Sequence, residues 1–251
     1  MSKYLDSLFG LKGKVAIVVG ASRGIGMSIA EGLQNAGAEV YGFGRTETSA
    51  LNKTPKFEYK SVDFLKNENI EKEFSSINIR KGSINILVNA AGITIPNDNS
   101  MDSFRETFKT NLYLAYESSI MFSELKEDSS LASIINITSI GAEIGFPNNP
   151  AYIASKAALK NMTKGLAIDF ASKNIRVNNI SPGYIDTAMT KESLLDAEKK
   201  EKRLNRMIIK RWGKTKDIVG ASIFLASDSS SYMTGTDITI DGGWIANGLT
   251  D

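Results

Sequence analysis

The chain has 251 residues, 42% of them apolar and 23% charged, so it has a globular composition rather than that of a long disordered segment. Thirty basic against 28 acidic side chains leave +2, which supplies no electrostatic reason to bind nucleic acid or a membrane surface. There is no Cys and no His, which excludes disulfides, thiol nucleophiles, thiolate or imidazole metal sites and a Ser-His-Asp triad, so no metal is expected. Proton chemistry near neutral pH then falls to Lys, Tyr or a carboxylate with a shifted pKa.

In chain order, residues 15–19 form a continuous apolar run ending at Gly20, the pattern of a strand buried on both faces. A helical stretch follows to Ala36, with Ile25, Ile29 and Leu33 four apart and Gly37 at its end. Further strands are expected at 39–43, 57–62, 84–89, 133–138, 175–180 and 237–240, and helices at 66–80, 101–127, 150–172 and 216–227. This alternation predicts an α/β fold: a doubly wound parallel sheet of about seven strands with helices on both faces.

No linker, repeat or low-complexity stretch divides the sequence, so residues 1–251 read as one domain. Residues 187–211 are charge-dense, which fits either a solvated helix or a substrate lid. Around Asn111, the run Leu112-Tyr113-Leu114-Ala115-Tyr116 is apolar all round a helix, and in an outer layer that predicts cover from a second subunit; plain core burial is the other reading. Residues 1–10 hold no signal-peptide apolar stretch and no run of about 18 apolar residues occurs, so a cytoplasmic location is expected. Two glycosylation-type triplets, at Asn52 and Asn136, read as chance.

The turn after the first strand is Gly20-Ala21-Ser22-Arg23-Gly24-Ile25-Gly26. Glycines allow a sharp turn and close approach of a pyrophosphate to a helix N-terminus, although a glycine-rich turn alone is weak evidence. Tyr152 and Lys156 are four apart and share a helix face, where an ammonium would lower the phenol pKa; a half-buried Tyr beside a surface Lys is the bland alternative. Ser139 follows the strand at 133–138, at the carboxyl edge where doubly wound sheets build sites.

Together these residues resemble the short-chain dehydrogenase/reductase family over essentially the whole chain: Gly20, Gly24 and Gly26; Asn89-Ala90-Ala91-Gly92; Asn111; Ser139; Tyr152 with Lys156; and Ser181-Pro182-Gly183 followed by Thr187. The resemblance implies an enzyme moving a hydride between a nicotinamide dinucleotide and a carbonyl or secondary alcohol. Asn111, Ser139, Tyr152 and Lys156 would form the catalytic set. Tyr152 would exchange the proton, Lys156 would assist it and hold the ribose, Ser139 would hold the substrate oxygen, and Asn111 would position a water. The cofactor would lie on Gly20, Ser22, Arg23, Gly24, Ile25 and Gly26, on Arg45 and Asp63, and on Asn89, Ala90 and Gly92. It would continue over Tyr152 and Lys156 to Pro182, Gly183, Ile185 and Thr187. Val19 departs from the family, which usually has Thr there, and a small effect is expected.

The acidic position of NAD-type members falls on Gly44, followed by Arg45, and Arg23 is a second nearby cation, which points to NADP, with NAD as the alternative. Within the family the chain is similar to members acting on sugar acids, the gluconate and 2-dehydro-3-deoxygluconate 5-dehydrogenases, and to the 3-oxoacyl-acyl-carrier-protein reductases. Carrier proteins are acidic and call for a basic landing patch, yet Glu124-Leu125-Lys126-Glu127-Asp128-Ser129-Ser130 is acidic on balance. A small polar substrate, a sugar or sugar acid, is therefore the leading expectation. Its contacts are expected near Ile95, at 141–149, at Tyr184 and Ile185, and in the lid. A homotetramer is implied by the resemblance. A non-catalytic dinucleotide-binding sensor is the alternative of another class, disfavoured because Asn111, Ser139, Tyr152 and Lys156 are all present.

Overall fold

Apolar, β-branched runs form strands buried on both faces when helices cover the sheet on either side. The computed structural model describes residues 3–51, 53–66, 69–126 and 129–248. Its strands are β1 (Val15–Val19), β2 (Glu39–Gly44), β3 (Glu58–Ser61), β4 (Ile86–Asn89), β5 (Ala132–Ile137), β6 (Ile175–Pro182) and β7 (Asp237–Ile240). All pair in parallel in the order β3-β2-β1-β4-β5-β6-β7. Every residue of β1, β4, β5 and β6 is buried.

The helices are α1 (Lys3–Phe9), α2 (Gly24–Asn35), α3 (Asn69–Lys81), α4 (Met101–Phe108), α5 (Leu114–Glu124), α6 (Pro150–Asp169), α7 (Lys191–Leu195), α8 (Ala197–Arg206) and α9 (Thr215–Ala226). The helix expected at 101–127 is interrupted by a π-helical turn, Lys109–Tyr113, and the charged stretch of the expected lid divides into α7 and α8. Neither break has a periodicity signature. The expected helix positions 67, 68 and 127, the acidic pair Glu127-Asp128 and the triplet residue Asn52 lie outside the described residues.

Alternation along the strands builds two cores. Ala16, Val18, Ile86, Val88, Ile135 and Ile180 pack with Ile29, Leu33, Ile218 and Leu225 of α2 and α9. Val15, Ile17, Leu87, Ile134 and Val177 face Phe74, Phe122 and Leu166 of α3, α5 and α6. Arg176 on β6 ties the first core to the end of α9, donating to the Leu225 carbonyl at 2.8 Å and to Ser230 Oγ at 3.0 Å.

One polar row crosses the second face. Asn89, Asn136 and Asn179 are register partners on β4, β5 and β6. Asn89 Nδ2 donates to Asn136 Oδ1 at 2.8 Å, Asn136 Nδ2 to Thr163 Oγ1 at 2.8 Å, and Thr163 Oγ1 to Asn179 Oδ1 at 2.6 Å. Removing one amide strands its neighbours in a dry interior. Asn136→Ala is therefore expected to cost about 2–4 kcal/mol in urea unfolding. A change within about 0.5 kcal/mol, the range of ordinary surface substitutions, would show that the row adds nothing to stability.

Candidate active site

The carboxyl ends of β1, β2, β4, β5 and β6, with the chain just past β3, open into one cavity of about 510 Å³. The strand order reverses at β1 and β4, the place where a doubly wound sheet leaves a crevice. Gly20, Ser22, Arg23, Gly24, Ile25, Gly26, Arg45, Asp63, Ala90, Gly92, Ser139, Tyr152, Lys156, Pro182, Gly183, Ile185 and Thr187 all line it.

The glycine turn is built for close approach. Gly20 has φ +94°, and a β-carbon there would overlap the Ala91 backbone nitrogen; one at Gly26 would overlap the Gly20 carbonyl. Arg23, the N-cap of α2, makes no side-chain capping bond, so the first-turn N–H groups face the cavity mouth free to meet an anion. After Val19 the turn is held by the main chain: Gly20 N and Ala21 N both donate to the Phe43 carbonyl, at 2.8 and 2.9 Å.

At Gly44 the structure explains the missing carboxylate. A β-carbon would sit 2.9 Å from the Tyr59 hydroxyl and 3.1 Å from Ser22 Cβ. Tyr59 is half-buried, donates to the Thr46 carbonyl at 2.8 Å and also bonds Ser22. Its hydroxyl would have to shift for Gly44 to carry a side chain. Arg23 and Arg45 are both exposed on the cavity rim.

Ser139 lies in extended backbone at the start of a short turn, Ile140–Ala142, and its Oγ accepts from Gly141 N at 3.0 Å. It also bonds the Tyr152 hydroxyl. Lys156 is buried, with Nζ 6.0 Å from the Tyr152 ring centre and donating to the Ile137 carbonyl at 2.7 Å. Burial lowers the Lys156 ammonium from 10.5 to about 8. The expected lowering of Tyr152 is not found: burial raises its pKa above the usual 10.0, the Ser139 bond offsets part of that, and Tyr184 adds to it. A protonated phenol beside a serine hydroxyl is set to give a proton to a carbonyl oxygen held by both.

Two expected site residues stand behind the cavity rather than on it. Asn89 is 4% exposed and turns into the amide row, touching Ser119 and the Ala115 carbonyl as well. Asn111 sits in the π turn, accepting from Ile93 N at 2.8 Å and donating to the Ile93 carbonyl and to Ser155 Oγ, both at 3.0 Å. It fixes the chain after Gly92, and a β-carbon on Gly92 would lie 3.4 Å from Lys156 Nζ and 3.5 Å from Asn111 Oδ1. Both amides bond protein groups, because strand register and the π turn point them inward. Thr94, not Ile95, borders the cavity, and Asn149 Nδ2 donates to it at 2.6 Å.

Next to Gly183, which lines the cavity, Tyr184 enters an aromatic cluster whose rings are not among the cavity-lining residues. Tyr184 stacks edge-on with Trp244 at 4.7 Å and Trp212 at 5.5 Å, with Phe146 at 6.1 Å. Its place after Gly183 points to Tyr184, whereas no spacing in the sequence marks Trp212 or Trp244 as its neighbours. Their rarity in the chain was the available signal, since Trp occurs only twice.

The sequence profile described as "Enoyl-(Acyl carrier protein) reductase" matches residues 20–245. The 2-dehydro-3-deoxy-D-gluconate 5-dehydrogenase of Bacillus subtilis (strain 168) is 37% identical over 255 residues, covering 97% of this chain and 99% of that protein. The 3-oxoacyl-[acyl-carrier-protein] reductase of Haemophilus influenzae is 36% identical, covering 93% and 98%. The crystal structure of a gluconate 5-dehydrogenase from Burkholderia cenocepacia J2315, in complex with NADP and tartrate, superposes with a TM-score of 0.89 at 29% identity, covering 96% and 98%. The chain belongs to the short-chain dehydrogenase/reductase family. Within it, this is an NAD(P)-dependent oxidoreductase acting on CH–OH groups.

Because Lys156 titrates lower in the fold than in the unfolded chain, burying its charge opposes folding below pH 8, and that cost is relieved as pH rises from about 8 to 10.5. Wild type should therefore gain about 2 kcal/mol relative to Lys156→Met between pH 7.5 and pH 10. Parallel urea curves at the two pH values measure it. An unchanged difference would mean the ammonium is not desolvated.

Proposed function

We propose that this chain interconverts a carbonyl and a secondary alcohol on a small polar substrate, a sugar or sugar acid, with NADP(H) as cofactor. The observation that carries the reading is the single cavity joining the glycine turn to the Tyr152–Ser139 pair. The Gly20–Gly26 turn fits a pyrophosphate, and Arg23 and Arg45 supply cations for a 2′-phosphate where crowding by Tyr59 leaves no room for a carboxylate on Gly44. Asp63 would meet the adenine, and Ala90, Gly92, Pro182, Gly183, Ile185 and Thr187 would flank the rest.

When bound, the dinucleotide gives or takes the hydride. The chain's own residues handle the oxygen: Ser139 and Tyr152 hold it, and Tyr152 passes its proton to it. Lys156 supports the developing phenolate with its charge from the buried side. Asn111 keeps the 92–93 segment and Ser155 in place. The whole chain would act as one domain, with residues 187–211 as the substrate cover. Relatives that are 2-dehydro-3-deoxy-D-gluconate and gluconate 5-dehydrogenases support a sugar acid.

Steady-state assays with NADPH and NADH against hexonates, aldohexoses and 3-oxoacyl thioesters test the reading. NADPH should be favoured by roughly ten- to a thousandfold in kcat/KM, an advantage reduced in Arg45→Ala and Arg23→Ala. Gly44→Asp is a poor reversal test, because its β-carbon meets Tyr59. Tyr152→Phe should lose about 10²–10⁴ in rate while still binding NADPH. Equal use of both cofactors, more than a tenth of the turnover kept by the Phe variant, or activity on the thioesters alone would each overturn the corresponding part.

The same proposal includes a homotetramer. Tyr113 and Tyr116 are 54% and 48% exposed beside a groove of about 810 Å³ that also holds Ile120 and Met121. Leu114 and Ala115 on the same run are buried, so the run is covered on its inner side and bare outside. Sedimentation velocity at micromolar concentration should show a tetramer, and a stable monomer would refute it.

A further inference from the structure

Three buried N–H donors without an acceptor belong to one aromatic cluster: Arg203 Nη1, Trp212 Nε1 and Trp244 Nε1. Buried donors are nearly always satisfied, so a cluster of them calls for an acceptor-rich partner. Arg203, from α8, places its guanidinium 4.5 Å from the Tyr184 ring centre and 5.9 Å from that of Trp212. Among the described residues its side chain makes no hydrogen bond or ion pair, only these ring contacts. Neighbouring Arg211 differs, being held by the Asp217 carboxylate at 2.7 Å.

The cluster adjoins the reacting pair. Tyr184 directly follows Gly183, which lines the same cavity as Tyr152 and Ser139. Phe146, 6.1 Å from Tyr184, reaches to the Gly141 position, where a β-carbon would lie 2.9 Å from its ring and 3.3 Å from Ser139 Oγ. The end of α8 is anchored here: Met207 is 2% exposed in the same cluster, and Ile209 N donates to the Gly242 carbonyl at 2.9 Å.

We propose that Arg203 is the specificity-determining residue for a carboxylate on the substrate, with the two indole N–H groups as further donors. Guanidinium and carboxylate match as a planar fork, and aromatic faces on one side raise the strength of the pair by excluding water. The substrate class is a small hydroxy or oxo acid whose reacting oxygen lies at Tyr152 and Ser139. A neutral sugar would leave the cation without a counter-charge. This inference rests on the reading that the enzyme acts on a sugar or sugar acid.

The test is calorimetric binding of D-gluconate and of D-glucitol, its neutral counterpart, to the NADPH-loaded protein, where no hydride acceptor is present and neither alcohol can react. Wild type should prefer gluconate, and Arg203→Met, which keeps an apolar stem on Tyr184, should cut the gluconate-to-glucitol affinity ratio by about ten- to a hundredfold. Arg203→Lys should fall between, since it keeps the charge and loses the fork. NADPH binding followed by fluorescence reports whether the variants are folded. An unchanged ratio in Arg203→Met, or no preference for gluconate in wild type, overturns the proposal. Turnover of neutral hexoses by a wild type that does not prefer gluconate would sink Arg203's role while leaving the sugar-oxidoreductase reading standing; turnover of thioesters alone would remove both.

Discussion

Asn89, Asn136 and Asn179 meet across three neighbouring strands where an unpaired amide costs about 1–3 kcal/mol, so each strand is tied to one register. A slip of β5 by one residue would turn Asn136 to the opposite face and leave its partners bare. The carboxyl ends of β4, β5 and β6 are thereby fixed relative to one another. Those ends carry Ala90 to Gly92, Ser139, and Pro182 with Gly183, which means the cavity inherits its shape from an interaction one to four residues behind it. Apolar packing alone would tolerate small sliding between such similar Val- and Ile-rich strands.

Low polarity around Tyr152 and Lys156 acts on both in the direction of neutrality. It raises the phenol of Tyr152 and lowers the ammonium of Lys156, and the two are held apart by Lys156's bond to the Ile137 carbonyl. Near neutral pH the phenol keeps its proton while the ammonium, at about 8, is still mainly charged. Charge on the phenol becomes favourable only when something else lowers its cost, and Ser139 is the neighbour already doing so. The resting arrangement thus suits proton donation more than proton removal.

Much of this was legible in the residues. The strand at 15–19, the turn at Gly20–Gly26 and the Tyr152–Lys156 pair are local patterns whose spacing states their geometry. What was not legible depends on neighbours brought from far along the chain. The space beside Gly44 is filled by Tyr59 from the next strand, and nothing in the order Gly44-Arg45 shows it. Asn89 reads as a cavity residue until register turns it into the amide row. The π turn at Lys109–Tyr113 arises inside a sequence with ordinary helical periodicity, and the grouping of Arg203 with Trp212 and Trp244 needs the chain after β6 and β7 to fold back.

The order of strands in space also bears on how the protein is made. Of the seven described strands β7 emerges last during synthesis, yet it pairs with β6, binds Ser181 through Asp237 at 2.8 Å, and receives Gly183 N on the Ile240 carbonyl at 2.9 Å. Until it arrives, β6 is an open sheet edge, and the Pro182–Gly183 wall of the cavity has no backing. A nascent chain can therefore assemble β1 to β5 with their helices while the ribosome is still working, but its β6 edge stays available to other strands until residue 240 has cleared the exit tunnel.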